Sequence, residues 1–473
     1  MKYFVGGFCF PLNIEEAKIR TSIRDRLSVG SRSFRYEPCY RRVVFDPVKK
    51  KPYLDCAFSV ETNSYIKDTS ITFLPEINEP TYGKGDFPNG LAVVGDNFSA
   101  LLFAYITVKS GVKVTLLCPS PSIDAKRRIS GSYIFFPRPN GSEEIESVIR
   151  HFLQDKVGVR GGIVSLTGKD HGALIDRIIA EFEKLGGVLH YNSHPIALSL
   201  FLGRMRKLIY AIGENEKEGK FDRVVMMDQG ALGSFYQSIK AKKTKSDPRL
   251  RVYIESKKRD VDFLLYENQL RLPLYFSSHE LNAKNGAKVR VSYPIVDCYL
   301  RNYGGVSSEP YPGLCFVSDK RRVSALTSLE VSLSSMEEMK TTLSSCRRFN
   351  LPGCAPCQKV SDFLMRKESF RLGGVRSSYS EGVYLDNFHS LLPTAVSDAL
   401  QSAIWKIREE IPFISSDAIL IGAEPVVYPG DVVIPQRYAN YVKAYWDKTS
   451  SEFNLVAQGD FVFDSLKDFF GYF

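Results

Sequence analysis

One stretch restricts the fold more than any other: NGLAVVGDNFSALLFAYITVKSGVKVTLLCPS, Asn89 to Ser120. GLAVVG reads as an apolar strand, SALLFAYITVKSG as an apolar helix closed at Gly111, and VKVTLLC as a second apolar strand. Strands without polar alternation need cover on both faces, and a helix between two of them returns the chain in parallel. The sequence therefore predicts a parallel sheet with helical cover.

The turn between the first strand and the helix lines up with the dinucleotide fingerprint G-x-G-x-x-G, in which each glycine has a mechanical role. The first makes the tight turn, the second lets a pyrophosphate approach, and the third lets helix and strand pack closely. Here these positions hold Gly95, Asn97 and Ala100. Alanine is an accepted third residue. At Asn97 a side chain is expected to project where the pyrophosphate would meet the helix N-terminus, and Asp96 adds negative charge beside it. The acidic position on the second strand falls on Cys118, which offers no carboxylate to a ribose. The turn is thus expected to keep its shape, which rests on apolar packing, without its ligand.

Around this unit the chain divides into recognisable parts. YFVGGFCFPL predicts a strand, and NIEEAKIRTSIRDRL a helix with Asn13 as N-cap and Ile19, Ile23 and Leu27 on one face. YRRVVFDP and PYLDCAFSVET follow as two strands, which makes residues 1–78 a ferredoxin-like βαββ module. A Pro- and Gly-rich linker runs from Pro80 to Asn89. The Rossmann-like domain, with the outline of a dinucleotide-binding unit, is assigned to residues 88–235. Within it KDHGALIDRIIAEFEKLGG is an amphipathic helix, two strands follow, and GENEKEGK reads as a polar turn. Residues 236–375 are expected to form an inserted mixed, β-rich domain. Residues 376–473 return to the first fold with the helix TAVSDALQSAIWKIREEIP and a closing strand, turn and helix in NLVAQGDFVFDSLKDFFGYF. The fold class is α/β combined with α+β.

Several segments in the same order resemble the FAD-dependent dehydrogenases of bacteria and plastids, the "NAD(FAD)-utilizing dehydrogenase" group. They are FPLNIEEAKIRTSIRDRL, RRVVFDPVKKKPYLDCAFSVE, GALIDRIIAEFEKLGGVLHYN, CQKVSDFL and LLPTAVSDALQSAIWKIREEIPFISSDAILIGAEPVVYPGDVVIP. The resemblance implies a flavin site and a redox function, with residues 88–235 a domain of FAD/NAD(P)-binding type and residues 236–375 a former substrate domain. It also implies that departures cluster on that site. A Gly-rich insert is shortened to ISGSYIFFPRPNGSEE, a flavin-abutting strand end reads VVMMDQGAL around Met227, Asp228 and Gln229, and a closing segment reads VAQGDFVFDSL around Gly459, with Asp460 and Phe461 where small residues are expected. Gly95, Asp96, Asn97, Ala100, Cys118 and Gly459 are read as vestigial FAD-site positions.

The remaining chemistry is sparse. Of nine cysteines, Cys346, Cys354 and Cys357 lie closest, and C-A-P-C is read as a loop of free thiols; no fourth ligand completes a zinc set. An odd cysteine count suits a reducing compartment. His151, His171, His190, His194, His279 and His389 show no metal or nucleophile spacing, LTGKDHGAL is not a P-loop, and Asp417 and Glu424 are not paired as acid and base. No catalytic residue is assigned. Lys and Arg number 63 against 53 Asp and Glu, a net charge of +10, clustered at Lys49–Lys51, Lys126–Arg128, Lys240–Lys245, Lys257–Arg259 and Lys320–Arg322. Such clusters suit RNA or another polyanion. No apolar run approaches a membrane span, and the first residues lack a secretory pattern.

The expectation is a catalytically inactive relative of the FAD-dependent dehydrogenases, holding no cofactor. It would serve as a structural or assembly subunit among protein partners, in an organellar ribonucleoprotein such as a mitochondrial ribosome; a cytoplasmic location is the other reading. The alternative is an active FAD-dependent oxidoreductase with an atypical pyrophosphate turn, and a third reading is a sensor of a small ligand.

Overall fold

The computed structural model describes residues 1–11, 14–28, 34–46, 51–66, 68, 71–74, 87–135, 148, 151–152, 163–201, 204–227, 233–257, 279–284, 286–302, 314–318, 324–346, 353–410, 417–428, 430, 432–445 and 455–470.

The chain opens with β1 (Lys2–Phe10), α1 (Glu16–Leu27), β2 (Phe34–Asp46), β3 (Lys51–Thr62) and β4 (Thr72–Leu74). They form one antiparallel sheet in the order β2-β3-β1-β4, covered by α1 through Ile19, Ile23 and Leu27. This matches the expected ferredoxin-like unit. The helix starts later than expected, with Glu15 at the N-cap, and Asn13 lies outside the described residues.

The second part is β5 (Leu91–Val94), α2 (Phe98–Lys109), β6 (Val114–Leu117), α3 (Ala125–Ser130), β7 (Ser132–Phe135), β8 (Ile163–Leu166), α4 (Gly168–Lys184), β9 (Val188–His190), a meander of β10 (Ser193–Phe201), β11 (Arg204–Ile212) and β12 (Asn215–Gly219), then β13 (Arg223–Met226) and α5 (Gly233–Ser238). Residues 215–219, expected to turn, pair with β11 as a third meander strand. β5 and β6 do pair in parallel, with Leu91 opposite Val114 and Val94 opposite Leu117. Every residue of α2 from Phe98 to Val108 is buried, because the helix lies between the sheet, α4 and the C-terminal helix.

The third part carries β14 (Lys242–Lys243), β15 (Asp247–Lys257), β16 (His279–Asn282), β17 (Lys288–Asn302), β18 (Leu314–Ser318), β19 (Ser324–Ser332), α6 (Met336–Ser345), β20 (Ala355–Lys359), α7 (Val360–Leu364), β21 (Val383–Leu385), α8 (Phe388–Leu391), α9 (Thr394–Glu410), β22 (Ile419–Tyr428) and β23 (Val432–Val433). Most of these strands join an eight-stranded sheet ordered β16-β17-β19-β15-β22-β20-β21, with β18 on β17. Cys354-Ala-Pro-Cys357 is not the expected loop: Ala355, Pro356 and Cys357 lie on β20, and Cys354 and Cys357 are both free thiols.

The chain returns to the parallel sheet with β24 (Val442–Ala444) and ends in α10 (Leu455–Phe470). The strand–turn–helix expected here is one continuous helix that buries Leu455, Val462, Phe463, Leu466 and Phe469. The parallel sheet runs β24-β13-β5-β6-β9. From β5 the chain adds strands outward through β6 and β9, then crosses back to add β13 and β24 on the other side. That is the doubly wound order, whose reversal point lies between β5 and β13. Among the described residues, no helix is long and apolar enough to cross a membrane.

Candidate cofactor site at the strand reversal

In doubly wound sheets a ligand crevice opens beyond the carboxyl ends of the strands, where their order reverses. Here that place is the exit of β5, the turn from Gly95 to Asn97. A Cβ on Gly95 would lie 2.6 Å from Ala100 Cβ and 3.4 Å from the Met227 carbonyl carbon. The first and third positions of the fingerprint therefore work as their residue types require, since glycine and alanine let strand and helix approach.

Asn97 corrects an expectation. Its side chain folds back onto the first turn of α2 and onto the end of β13 instead of projecting outward. Its Oδ1 accepts from the Ala100 N–H at 2.8 Å, which caps α2, and its Nδ2 donates to the Met227 carbonyl at 3.0 Å. The backbone there is extended, at φ −109° and ψ 169°. An asparagine thus replaces the second glycine as an N-cap folded back toward β13. The first amides of a helix lack a carbonyl one turn earlier within the helix itself, and the start of α2 is the end that attracts an anion.

Asp96 is also turned away from that end. Its carboxylate accepts from Ser120 Oγ, on the connection after β6. A carboxylate therefore stands beside the end of the second strand, although from the turn and not from the strand itself. Cys118 is fully buried, and its thiol donates to the Ser120 carbonyl at 3.3 Å. Gly459 is buried inside α10. Met227 continues the β5 pairing through its N–H to Val94 O at 2.8 Å, while Asp228 and Gln229 lie outside the described residues. The turn thus brings together Gly95, Asp96, Asn97 and Ala100, with Cys118 behind it.

Two polar groupings are not visible in the sequence. Ser132, His171 and Asp124 form one hydrogen-bonded chain behind the turn. On the large sheet, buried Arg251 donates from Nε to Glu330 at 2.9 Å and from Nη1 to Glu424 at 3.1 Å. Tyr253 Oη donates to Glu424 at 2.6 Å and Tyr428 Oη to Glu330 at 2.8 Å. Burial alone would push the Glu330 carboxyl up; Arg251 and the Tyr428 hydroxyl outweigh it and hold it below the usual range. Arg251 and Tyr253 alternate along β15 with Leu250, Val252 and Ile254, which point into the core shared with the N-terminal sheet. The partners are 79 and 173 residues apart, so no local spacing announces them.

The basic clusters fare unevenly. Arg127 is buried beside Asp124 at 3.7 Å, and Arg128 bonds Asp176 at 2.7 Å, so both arginines of that run are paired within the chain. Lys257 lies 3.9 Å from Asp417. Lys240, Lys242 and Lys245 are exposed, whereas Lys258, Arg259 and Lys320–Arg322 fall outside the described residues. Among the described residues, no group of three or more His, Cys, Asp or Glu could hold a metal ion.

A family model described as "FAD-dependent protein, C-terminal domain-like" matches residues 330–425, the segment from Glu330 to one residue past Glu424. Curated proteins return no match. Similar solved structures include p-nitrophenol 4-monooxygenase PnpA from Pseudomonas putida DLL-E4, at 11% identity over 81% of this chain and 80% of that one, with a TM-score of 0.39. The myxobacterial chondrochloren halogenase CndH gives 11%, 80% and 78%, with a TM-score of 0.35. Thermovibrio ammonificans THI4 gives 15% identity over 32% of this chain, which spans 61% of that protein, at a TM-score of 0.26. These likenesses are distant in sequence and shape. The expectation that the chain holds no cofactor is corrected by the family match, which points to FAD.

Proposed function

We propose that the protein is an FAD-binding oxidoreductase whose pyrophosphate turn carries an asparagine cap in place of the second glycine. The observation that carries this reading is the match of residues 330–425 to the FAD-dependent C-terminal domain. The doubly wound strand order and the close approach of Gly95 to Ala100 support it.

The residues present fit the cofactor in the following roles. Gly95 and Ala100 keep the strand end and helix close enough for a dinucleotide to reach the backbone. The first turn of α2 presents its positive end to the pyrophosphate. Asp96, tied to Ser120, supplies the carboxylate near the second strand that Cys118 lacks. Asn97 orders the turn by capping the Ala100 N–H and bonding the Met227 carbonyl. When bound, FAD would supply the redox centre, while the chain binds it and orients it. A role as a structural subunit of an organellar ribonucleoprotein finds no support in the fold, the site or the matches.

The test is direct. Purified protein is titrated with FAD, following the quench of flavin fluorescence and the visible absorption bands of the protein-bound fraction after gel filtration. One bound flavin per chain is expected. Protein that emerges colourless after incubation with saturating FAD would sink the proposal.

A further inference from the structure

Directly behind the candidate turn, His171 on α4 is fully buried between two side chains. Ser132 Oγ lies 2.8 Å from its Nδ1, and Asp124 Oδ2 lies 2.9 Å from its Nε2. Burial alone would push the Asp124 carboxyl up; the charges of Arg127 and Arg128 and the His171 hydrogen bond outweigh it and hold it below the usual range. An ionised carboxylate only accepts, so Nε2 carries a proton; in the neutral ring the Ser132 hydroxyl then donates to Nδ1.

The residue types are those of a nucleophilic triad, but Ser132 and His171 both have 0% exposure. A nucleophile must reach a substrate atom, and this one cannot. The chain of bonds leads elsewhere. Asp124 stands at φ 54° at the start of α3, and its backbone N–H donates to the Asp96 carbonyl at 2.6 Å. Asp96 is the residue between Gly95 and Asn97. The layer behind it is tight: a Cβ on Gly168, the first residue of α4, would lie 2.4 Å from the Arg128 carbonyl. Arg128 in turn bonds Asp176 on α4.

We infer that Ser132, His171 and Asp124 form a buried brace that fixes the Asp96–Asn97 turn from behind, which makes His171 a positioning residue for the dinucleotide. The ligand role rests on the FAD reading above; the brace itself does not. α4 arises from a part of the chain distant from the turn, and through His171 it sets where Asp124 presents its N–H. Losing the ring frees the β6–α3 connection and with it a backbone bond that holds Asp96.

The experiment uses the full chain with His171→Leu, which fills the space without hydrogen bonds, and His171→Gln, whose amide can still donate to Asp124. Two quantities are read: FAD affinity by fluorescence quenching, and amide hydrogen exchange of peptides spanning residues 91–101. His171→Leu is expected to weaken FAD about tenfold and to speed exchange in that segment about tenfold, leaving β15 and α9 unchanged. His171→Gln should recover most of both. Unaltered affinity and exchange in His171→Leu overturn the brace. Equal losses in both variants with faster exchange throughout the chain overturn it too, since they describe a core filler. If wild-type protein binds no FAD, the functional reading fails and the exchange measurement alone decides the brace. Should His171→Leu not fold, Asp124→Asn carries the same two measurements: faster exchange over 91–101 is expected, and unchanged exchange overturns the brace.

Discussion

The Asn97 side chain joins the ends of two neighbouring parallel strands, donating to the Met227 carbonyl at the exit of β13 while it caps the helix that follows β5. One residue thus closes the crevice floor where strand order reverses. Replacing it with alanine removes the cap and the strand-to-strand bond. Asn97→Ala should lower stability by about 1–2 kcal/mol, measured from urea unfolding midpoints. Asn97→Asp keeps the capping oxygen but brings a charge to the helix mouth. It also loses the amide donor to the Met227 carbonyl, so it should lower the midpoint as well, and weaken FAD about tenfold or more through repulsion of the pyrophosphate.

Gly95 offers a second test. An added methyl would overlap Ala100 Cβ, so helix and strand must separate. Gly95→Ala is expected to cost about 1–3 kcal/mol and to abolish detectable FAD binding. Binding at wild-type affinity in a folded Gly95→Ala protein would mean that the cofactor lies elsewhere.

Two buried carboxyls, Glu330 in the Arg251 cluster and Asp124 behind the turn, predict a pH dependence with a definite sign. The Glu330 and Asp124 carboxyls sit below their ordinary values of 4.5 and 3.8 in the folded chain. Their stabilisation is complete above those values and is lost as pH falls through the lower folded ones. Arg251→Met strips the counter-charge from the buried Glu330 carboxylate and should cost about 3–5 kcal/mol near neutral pH. The deficit should shrink on acidification, as protonation of Glu330 removes the uncompensated charge. Chemical denaturation at a series of pH values reads this; a deficit that grows toward acid would contradict it.

Thiol reactivity should follow burial. Burial pushes the Cys346 and Cys357 thiols up to about 12, whereas Cys9 is exposed. Alkylation of native protein, mapped by peptide mass, should mark Cys9 within minutes and Cys346 and Cys357 only after unfolding. Rapid native labelling of Cys357 would show that β20 opens readily.

The parallel sheet is legible in the sequence because two short apolar runs flank an apolar helix, a pattern with few other uses. The N-terminal module is legible through the spacing of Ile19, Ile23 and Leu27. What escapes is local. Residues 215–219 are polar yet form a strand, because β11 offers an edge and the meander's outer face is solvated. Leu455–Phe470 reads as divided at Gly459 because glycine weakens a helix; burial of Leu455, Val462 and Phe463 on either side overrides that cost. At the site, the sequence points to position 97 but not to what its side chain does there. A sequence names the residue that replaces glycine, but only geometry tells whether it points outward or folds onto Met227. The brace and the Arg251 cluster join residues across long separations, and no period in the chain marks them.

The first sheet and α9 share one hydrophobic core: Phe8, Ile23 and Phe58 belong to the same apolar cluster as Leu250, Val252, Leu400 and Ile404. During synthesis the opening module therefore emerges with one side bare, hundreds of residues before the pieces that cover it. Nascent chains halted short of α9 should expose that greasy flank to chaperones and proteases, and release from both should coincide with the ribosome's passage beyond β22.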